Sequence, residues 1–390
     1  MPKKPTARAS AVLGGAAALA AVVPLALTAG ASPSDSSGRT AAQECAAEKT
    51  AELTLEQQVG QLFIGGVDAD EPADDELAAV RDLHLGGVIL TNGSSAGVQA
   101  TRQVSDRVRE AATTGGVPMW VSADQEGGKV QHLKGQGFDT MPTAVEQGRL
   151  SPEELRSKAE GWGGQLSAAG VNVNLAPVLD TVPADLGGDN KPIGFLERNY
   201  GTTPGAVAEH GTAYQAGMTD AGVTPAVKHF PGLGRVLGNT DDAKDVKDEV
   251  TTRDDAYLEP FRAAVGAEKT PLVMISSARY TKIDPDNMAA FSSTVLTGML
   301  REDLGFDGVI VSDDLGAAKA LEDVPVGERA LRFLTAGGTV ALSVDAKTLP
   351  EMTGAVLERA GSDAQFRERV EKDAERVVAA KAEAGLVKCG

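Results

Sequence analysis

Polar side chains that could take part in chemistry follow short apolar runs at four points of this chain. Asp124, Asp180, the pair Lys228-His229 and Asp313 each stand at or just after the end of such a run. A single charge in that position is usually a solvated loop residue, but four of them suggest convergence on one surface. Several carboxylates beside a Lys-His pair, without a Cys–His pair, favour hydrolysis of a glycosidic bond over acyl transfer. That reaction needs one carboxylate nucleophile and a second group as acid/base.

Metal-dependent chemistry is the weaker alternative. The chain has four histidines, which are scattered at no ligand spacing: His84, His132, His210 and His229. A magnesium ion held by Asp124, Asp180 and Asp313 is the form that such a site would take. We expect no metal and no cofactor.

The elements that must position these residues alternate between short β-branched runs and helical stretches. Eight apolar runs are recognisable, at residues 60–67, 87–92, 119–124, 171–180, 223–229, 272–277, 309–313 and 340–345. Such near-continuous apolar strands are typical of a parallel sheet that is buried on both faces. Helix starts lie between them, at Ser151-Pro152 with Glu154 and at Thr54 with Gln57. We therefore predict an α/β fold, a (β/α)8 TIM barrel that forms a single catalytic domain over residues 53–387.

A doubly wound open sheet is the alternative architecture. It needs a glycine-rich phosphate-binding turn after its first strand. The sequence there reads Gly65-Gly66-Val67-Asp68, which is not that motif.

The net charge of −18 argues against nucleic acid as a partner, because a protein that binds nucleic acid requires clustered Lys and Arg. We expect a monomer.

The first residues predict export. Lys3, Lys4 and Arg8 precede an apolar stretch, and Ala-Gly-Ala at 29–31 resembles a cleavage site, so residues 1–31 are predicted to be a secretory signal peptide. A membrane anchor is the alternative, since the apolar stretch has about the length of a bilayer span. Glycines and Pro24 within it favour the signal. Residues 32–52 are then expected to be a linker, and the mature protein is expected to be extracytoplasmic, without stable membrane insertion.

The two cysteines, Cys45 and Cys389, stand near opposite ends of the mature chain. In an oxidising compartment they are candidates for a disulfide, because a closed barrel brings its ends together. Two unpaired thiols on frayed tails are the alternative. Neither cysteine has a neighbour at metal-ligand spacing.

Three motifs of this chain resemble glycoside hydrolase family 3, in its single-domain β-N-acetylglucosaminidase branch. They are residues 124–130 (Asp-Gln-Glu-Gly-Gly-Lys-Val), 228–232 (Lys-His-Phe-Pro-Gly) and 300–315, which end in Ser-Asp-Asp-Leu. The similarity runs from Leu53 to about Asp345, and the motifs occur in the same order as in the family. The resemblance implies that Asp313 is the nucleophile and that Asp314 is only its neighbour. It also implies that Asp124, Arg198, Lys228 and His229 bind the hydroxyl groups of the sugar.

The loop after the Lys-His-Phe-Pro-Gly motif departs from the family pattern. Relatives carry an Asp-x-His pair there, whose His is the acid/base, whereas this chain has Asn239 and Asp241 at the two positions. Asp241 is our candidate acid/base, with Asp242 as the anion that could raise its pKa. A water molecule or Asp242 could serve instead. The third alternative is a barrel that has lost catalysis and still binds sugar.

The resemblance thus implies a retaining exo-β-N-acetylglucosaminidase that releases N-acetylglucosamine from cell-wall muropeptides or chitin fragments. The alternatives are a non-catalytic glycan-binding barrel of the same family and a β-glucosidase or β-xylosidase. An acetamido-binding pocket would separate these enzymes, but the sequence does not identify one.

Overall fold

Eight parallel strands close into a barrel in the computed structural model, which describes residues 40–389. The strands pair in chain order and the last pairs with the first. They are β1 Phe63–Asp68, β2 Gly87–Thr91, β3 Trp120–Ala123, β4 Val173–Asn174, β5 Thr224–Phe230, β6 Leu272–Ile275, β7 Ile310–Asp314 and β8 Val340–Ser343. All eight predicted runs contribute a strand, so the predicted (β/α)8 fold is confirmed.

Helices cover the outside of this barrel. They are α1 Ala41–Ala51, α2 Leu55–Gln61, α3 Asp74–Asp82, α4 Val98–Ala111, α5 Ala144–Gln147, α6 Pro152–Ala168, α7 Pro204–Asp220, α8 Glu259–Val265, α9 Val326–Ala336, α10 Leu349–Ser362 and α11 Ala364–Glu383. A π-helix at Thr294–Asp303 follows β6. None of the helices in this part of the chain has the length and hydrophobicity needed to span a bilayer.

Two predicted strands have different bounds in the structure. The first begins at Phe63 rather than at residue 60, because the capping box of Thr54 and Gln57 starts α2, which continues to Gln61. The fourth is regular only over Val173–Asn174, and an isolated bridge joins Val178 to Lys228 further along. Pro177 lies between these points and has no N–H for the ladder, which explains the interruption.

Residues 41–51 form helix α1, within the stretch that was expected to be a linker. Thr40 and Gln43 form a capping box at its start, and Cys45 and Ala46 are buried beside Val378 of α11. The apolar contact with the barrel explains why this segment is helical rather than solvated. The predicted signal peptide, residues 1–31, lies outside the described residues.

Cys45 and Cys389 form a disulfide in the structure, with their Cα atoms 5.6 Å apart. This separation lies within the range that the predicted bridge requires. The bond joins residues 344 positions apart and ties α1 to the segment after α11. It therefore constrains the unfolded chain over almost the whole domain.

Replacement of Cys45 by Ser should lower the free energy of unfolding by about 2–5 kcal/mol, because the unfolded chain regains the freedom that the bridge removes. Chemical denaturation measures the change. The double variant Cys45→Ser/Cys389→Ser should match the single variant and the reduced wild type. Equal stability of oxidised and reduced wild type would show that the bridge does not stabilise the fold.

Candidate active site

Lys228 of β5 lies at the centre of the polar cluster at the C-terminal ends of the strands. Its Nζ is 2.5 Å from Asp124 Oδ1 and 2.6 Å from Glu126 Oε1, and both acids follow β3. The Lys228 side chain is 3% exposed, so these two ion pairs are made largely out of contact with water. Burial opposes the charged form of the lysine, yet the two carboxylates raise the pKa of Lys228 above its ordinary value. The ammonium group is thus fixed and charged.

Arg198 approaches the same carboxylate from the loop after β4. Its Nε and Nη2 donate to the two oxygens of Glu126, each at 2.8 Å. Its Nη1 donates to the carbonyl of Pro192 at 2.8 Å. Burial alone would favour a neutral Glu126, but the charges of Arg198 and Lys228 hold the pKa of this carboxyl far below its usual range. Glu126 therefore orients two cations that the sequence predicts to bind sugar.

His229 is held by Asp180. Its Nδ1 lies 2.6 Å from Asp180 Oδ2, while Asp180 Oδ1 accepts hydrogen bonds from the backbone N–H groups of His229 and Leu233. Asp180 is fully buried. We infer that Nδ1 carries the proton, which leaves Nε2 as the nitrogen available to a ligand. The peptide bond between Lys228 and His229 is cis.

Asp313 and Asp314 at the end of β7 have different surroundings. The carboxylate of Asp314 accepts hydrogen bonds from the backbone N–H groups of Gly316, Ala317 and Val344, and it is buried. It shapes the loop after β7. Asp313 is half-buried, and within the described part of the chain its carboxylate accepts one hydrogen bond, from the N–H of Asp314 to Oδ1 at 2.9 Å. Of the two, Asp313 has the freer carboxylate, in keeping with the nucleophile predicted there.

Asp241, on the loop after β5, lies within electrostatic reach of this nucleophile candidate. Asp241 is an exposed residue, but the surrounding protein atoms and the negative charge of Asp313 raise the pKa of its carboxyl to about 6, against the opposing charges of His229 and Arg198. Asp314 adds a smaller contribution in the same direction. The largest charge contribution to this pKa comes from Asp313 rather than from Asp242, whose carboxylate accepts a hydrogen bond from Asn239 Nδ2 at 3.2 Å.

Hydrogen bonds fasten the loop that carries Asp241 to the loop after β7. The N–H of Ala320 donates to Thr240 O at 3.0 Å and that of Lys319 donates to Asp241 O at 3.2 Å. Lys244 adds ion pairs to Glu322 and Asp323. The loop after β7, which follows Asp313, thus holds the backbone carbonyls of Thr240 and Asp241 in place.

Gly234 on the same loop is required by close packing. A Cβ atom at this position would lie 1.8 Å from the carbonyl oxygen of Thr181. Gly234 is therefore a contact point between the loops after β4 and β5.

The sequence analysis gave Glu126 no role and considered Asp180 only as a converging carboxylate and possible magnesium ligand, whereas the structure pairs Glu126 with Arg198 and Lys228 and pairs Asp180 with His229. A signal was present in the sequence, since Asp180 ends an apolar run and Glu126 shares a motif with Asp124, which directly follows β3. Their partners became visible only in the fold, because the ion pairs join residues far apart in sequence. Among residues 40–389, no group of three or more His, Cys, Asp or Glu has an arrangement that could hold a metal ion.

Replacement of Glu126 by Gln should destabilise the protein by about 3–5 kcal/mol, because it removes the shared partner of two buried cations. It should also raise KM, since Arg198 and Lys228 lose their fixed orientation. Denaturation and steady-state kinetics measure the two effects. The control is Glu160→Gln, at an exposed position on α6. Unchanged stability and KM in Glu126→Gln would contradict this positioning role.

A parallel eight-stranded barrel with acids and bases at the carboxyl ends of its strands defines the class of (β/α)8 enzymes, whose active sites lie at that end. The family model described as the N-terminal domain of glycosyl hydrolase family 3 matches residues 54–380. The chain belongs to glycosyl hydrolase family 3. The resemblance seen in its motifs is thereby confirmed.

Relatives and solved structures agree with this placement. The β-hexosaminidase LpqI of Mycobacterium tuberculosis is 31% identical over 344 residues, which cover 85% of this chain and 83% of that protein. A β-hexosaminidase of Stenotrophomonas maltophilia is 33% identical over 306 residues, 76% of this chain and 87% of that one. The crystal structure of a β-N-acetylhexosaminidase from Beutenbergia cavernae superposes with a TM-score of 0.83 at 45% identity, covering 85% of this chain and 99% of that chain.

Proposed function

We propose that this protein is a retaining exo-β-N-acetylglucosaminidase that hydrolyses terminal β-linked N-acetylglucosamine. The observation that carries the proposal is the carboxyl pair of Asp313 and Asp241. Asp313 lies at the end of β7 with a largely free carboxylate, and partial removal from water together with the negative charge of Asp313 raises the pKa of Asp241 to about 6. A pair of carboxyl groups in which one remains protonated at mildly acidic pH is what a retaining glycosidase requires.

In the first step the carboxylate of Asp313 attacks C1 of the sugar. The bond between C1 and the glycosidic oxygen breaks, and Asp241 gives its proton to that oxygen, so the leaving group departs as an alcohol. In the second step Asp241, now ionised, takes a proton from water, whose oxygen attacks C1 and releases Asp313. Two inversions at C1 give net retention.

Asp124, Arg198, Lys228 and His229 bind the terminal sugar in this proposal. The ion pairs to Glu126 and Asp180 fix the orientation of three of them before substrate arrives. Preorganised donors of this kind stabilise the transition state with little reorganisation during the reaction. The names of the relatives, β-hexosaminidase and β-N-acetylhexosaminidase, support an N-acetylhexosamine as that sugar.

The protein acts outside the cytoplasmic membrane, on N-acetylglucosamine at the ends of muropeptide or chitin fragments. The basic and apolar character of residues 1–31 supports export. The disulfide between Cys45 and Cys389 also supports an oxidising compartment.

A comparison of aryl β-N-acetylglucosaminide with aryl β-glucoside tests the proposal. We expect hydrolysis of the first at a rate well above that of the second. Preference for the glucoside would identify a β-glucosidase. Binding of N-acetylglucosamine without turnover of either substrate would identify a glycan-binding barrel, the alternative raised by Asn239 and Asp241 in place of the Asp–His pair.

A further inference from the structure

The carboxyl of Asp241 is positioned by the backbone that carries it. Within the described part of the chain, this carboxyl forms no hydrogen bond and no ion pair. The N–H of Asp241 donates to Asn239 Oδ1 at 3.3 Å, and the N–H groups of Asp242 and Ala243 donate to Asn239 O at 3.2 and 2.9 Å. These bonds form a turn over residues 239–243. The contacts that hold this turn therefore decide where the candidate acid/base lies.

The turn is held by the segment that follows the nucleophile candidate. A 3-10 helix at Lys319–Leu321 lies in this segment. The N–H of Lys319 donates to Asp241 O, and the N–H of Ala320 donates to Thr240 O. Two hydrogen bonds hold a surface loop weakly, because the same groups can bond to water when the loop opens. Further contacts are needed to keep the turn in one position.

Four charged side chains supply such contacts. Lys244, the residue after the turn, lies with its Nζ 3.2 Å from Glu322 Oε1 and 3.0 Å from Asp323 Oδ1. Lys319 forms an ion pair with the other oxygen of Glu322. We term Lys244, Lys319, Glu322 and Asp323 the charge latch. Their side chains are between 43% and 82% exposed, so water and salt reach every pair.

The charge latch crosses the end of one strand of the barrel. In the closed sheet, β6 lies between β5 and β7, so the ion pairs join the loops of two strands that are not neighbours. The exposed pair of Arg102 and Asp106, by contrast, lies within helix α4. Opening of the latch therefore changes the position of the turn relative to Asp313 without the loss of a strand or a helix.

We propose that the charge latch positions Asp241 for proton transfer to the leaving group, with Lys244 as its central positioning residue. The inference rests on the proposed function. An exposed ion pair contributes little alone, but Lys244 contacts two carboxylates and Glu322 contacts two lysines, so the four residues form a network. Salt screens exposed charges. Protonation of the leaving group therefore depends on ionic strength, whereas attack by Asp313, which lies on β7 itself, does not.

Two aryl β-N-acetylglucosaminides separate this role from a structural one. The 4-methoxyphenyl glycoside needs a proton on its leaving oxygen, and the 2,4-dinitrophenyl glycoside does not. At low salt, Lys244→Gln should lower kcat/KM about three- to tenfold on the first, the size of effect that a few exposed ion pairs can have, and leave the second unchanged. Lys244→Arg should keep the wild-type values. About 1 M NaCl should bring the wild type close to Lys244→Gln on the methoxyphenyl glycoside.

Arg156→Gln is the matched control, because Arg156 forms an ion pair of 2.7 Å with Asp220 on the outer helices α6 and α7. It should behave like the wild type on both glycosides and at both salt concentrations. Equal losses on both glycosides in Lys244→Gln, or no loss on either, would overturn the proposed positioning role. A wild type that hydrolyses neither glycoside would instead overturn the proposed function, so the two failures are distinguishable.

Discussion

Replacement of Asp313 by Asn should reduce kcat/KM on aryl β-N-acetylglucosaminide by at least about a thousandfold, a loss typical of removing a residue that reacts directly. The amide has nearly the shape of the carboxylate but cannot form the glycosyl ester. Among residues 40–389, the side chain of Asp313 accepts one hydrogen bond, from the N–H of Asp314, and an amide oxygen can still accept it. The fold should therefore survive, with an unchanged circular dichroism spectrum and melting temperature.

The neighbouring carboxyl of Asp314 is the control for the assignment of Asp313 as the nucleophile. A mechanism-based 5-fluoro N-acetylglucosaminyl fluoride should label the wild type, and peptide mapping by mass spectrometry should place the adduct on Asp313. Asp314 accepts three backbone hydrogen bonds and is buried, so its loss should act through stability. An adduct on Asp314, or substantial activity in Asp313→Asn, would contradict the assignment.

Replacement of Asp241 by Ala should have an effect that depends on the leaving group. Substrates with poor leaving groups need a proton on the glycosidic oxygen, and we expect them to lose about 10²–10⁴ in kcat/KM. A dinitrophenyl glycoside leaves without that proton and should lose much less in the first step. Steady-state kinetics on a series of aryl glycosides measures the difference as a steeper dependence on the pKa of the phenol.

The pH dependence gives a second readout of Asp241. Its pKa is raised from 3.8 to about 6, so the protonated form that donates to the leaving group persists up to that pH. The kcat/KM of the wild type should therefore fall as pH rises above about 6. This basic limb of the pH–rate profile should be missing in Asp241→Ala. Asp242→Ala is the matched control and should keep the limb. Loss of the limb in Asp242→Ala instead would assign the proton to Asp242.

The barrel was predictable because its strands are buried on both faces. Apolar β-branched runs mark such strands whatever their neighbours are, and all eight runs became strands. Their bounds were less predictable. Residues 60–62 were predicted to start the first strand, but the capped helix α2 extends to Gln61 and the strand begins at Phe63. Pro177 interrupts the hydrogen-bond ladder of the fourth strand. The helix at 41–51 has little amphipathic pattern of its own and depends on contact with α11, which lies more than 300 residues away.

The site was predictable where polar residues end a strand. Asp124, Lys228 and His229 are of this kind, and the structure brings them together. Arg198 and Asp241 lie on irregular loops, so only the family motifs pointed to them. The sequence could not show that Glu126 binds both Arg198 and Lys228, since this depends on the loops after β3 and β4 meeting strand β5 in space. For the same reason the sequence could not show that the charge of Asp313 contributes most to the raised pKa of Asp241.

The stereochemistry of azide rescue tests the central claim most directly. In Asp241→Ala the glycosyl ester on Asp313 forms from an activated aryl glycoside but lacks a base to activate water, and azide needs no such base. We predict that added azide restores turnover and that proton NMR shows β-N-acetylglucosaminyl azide, with the configuration of the substrate. An α-azide product, or no azide effect in this variant, would contradict the pairing of Asp313 as nucleophile with Asp241 as acid/base.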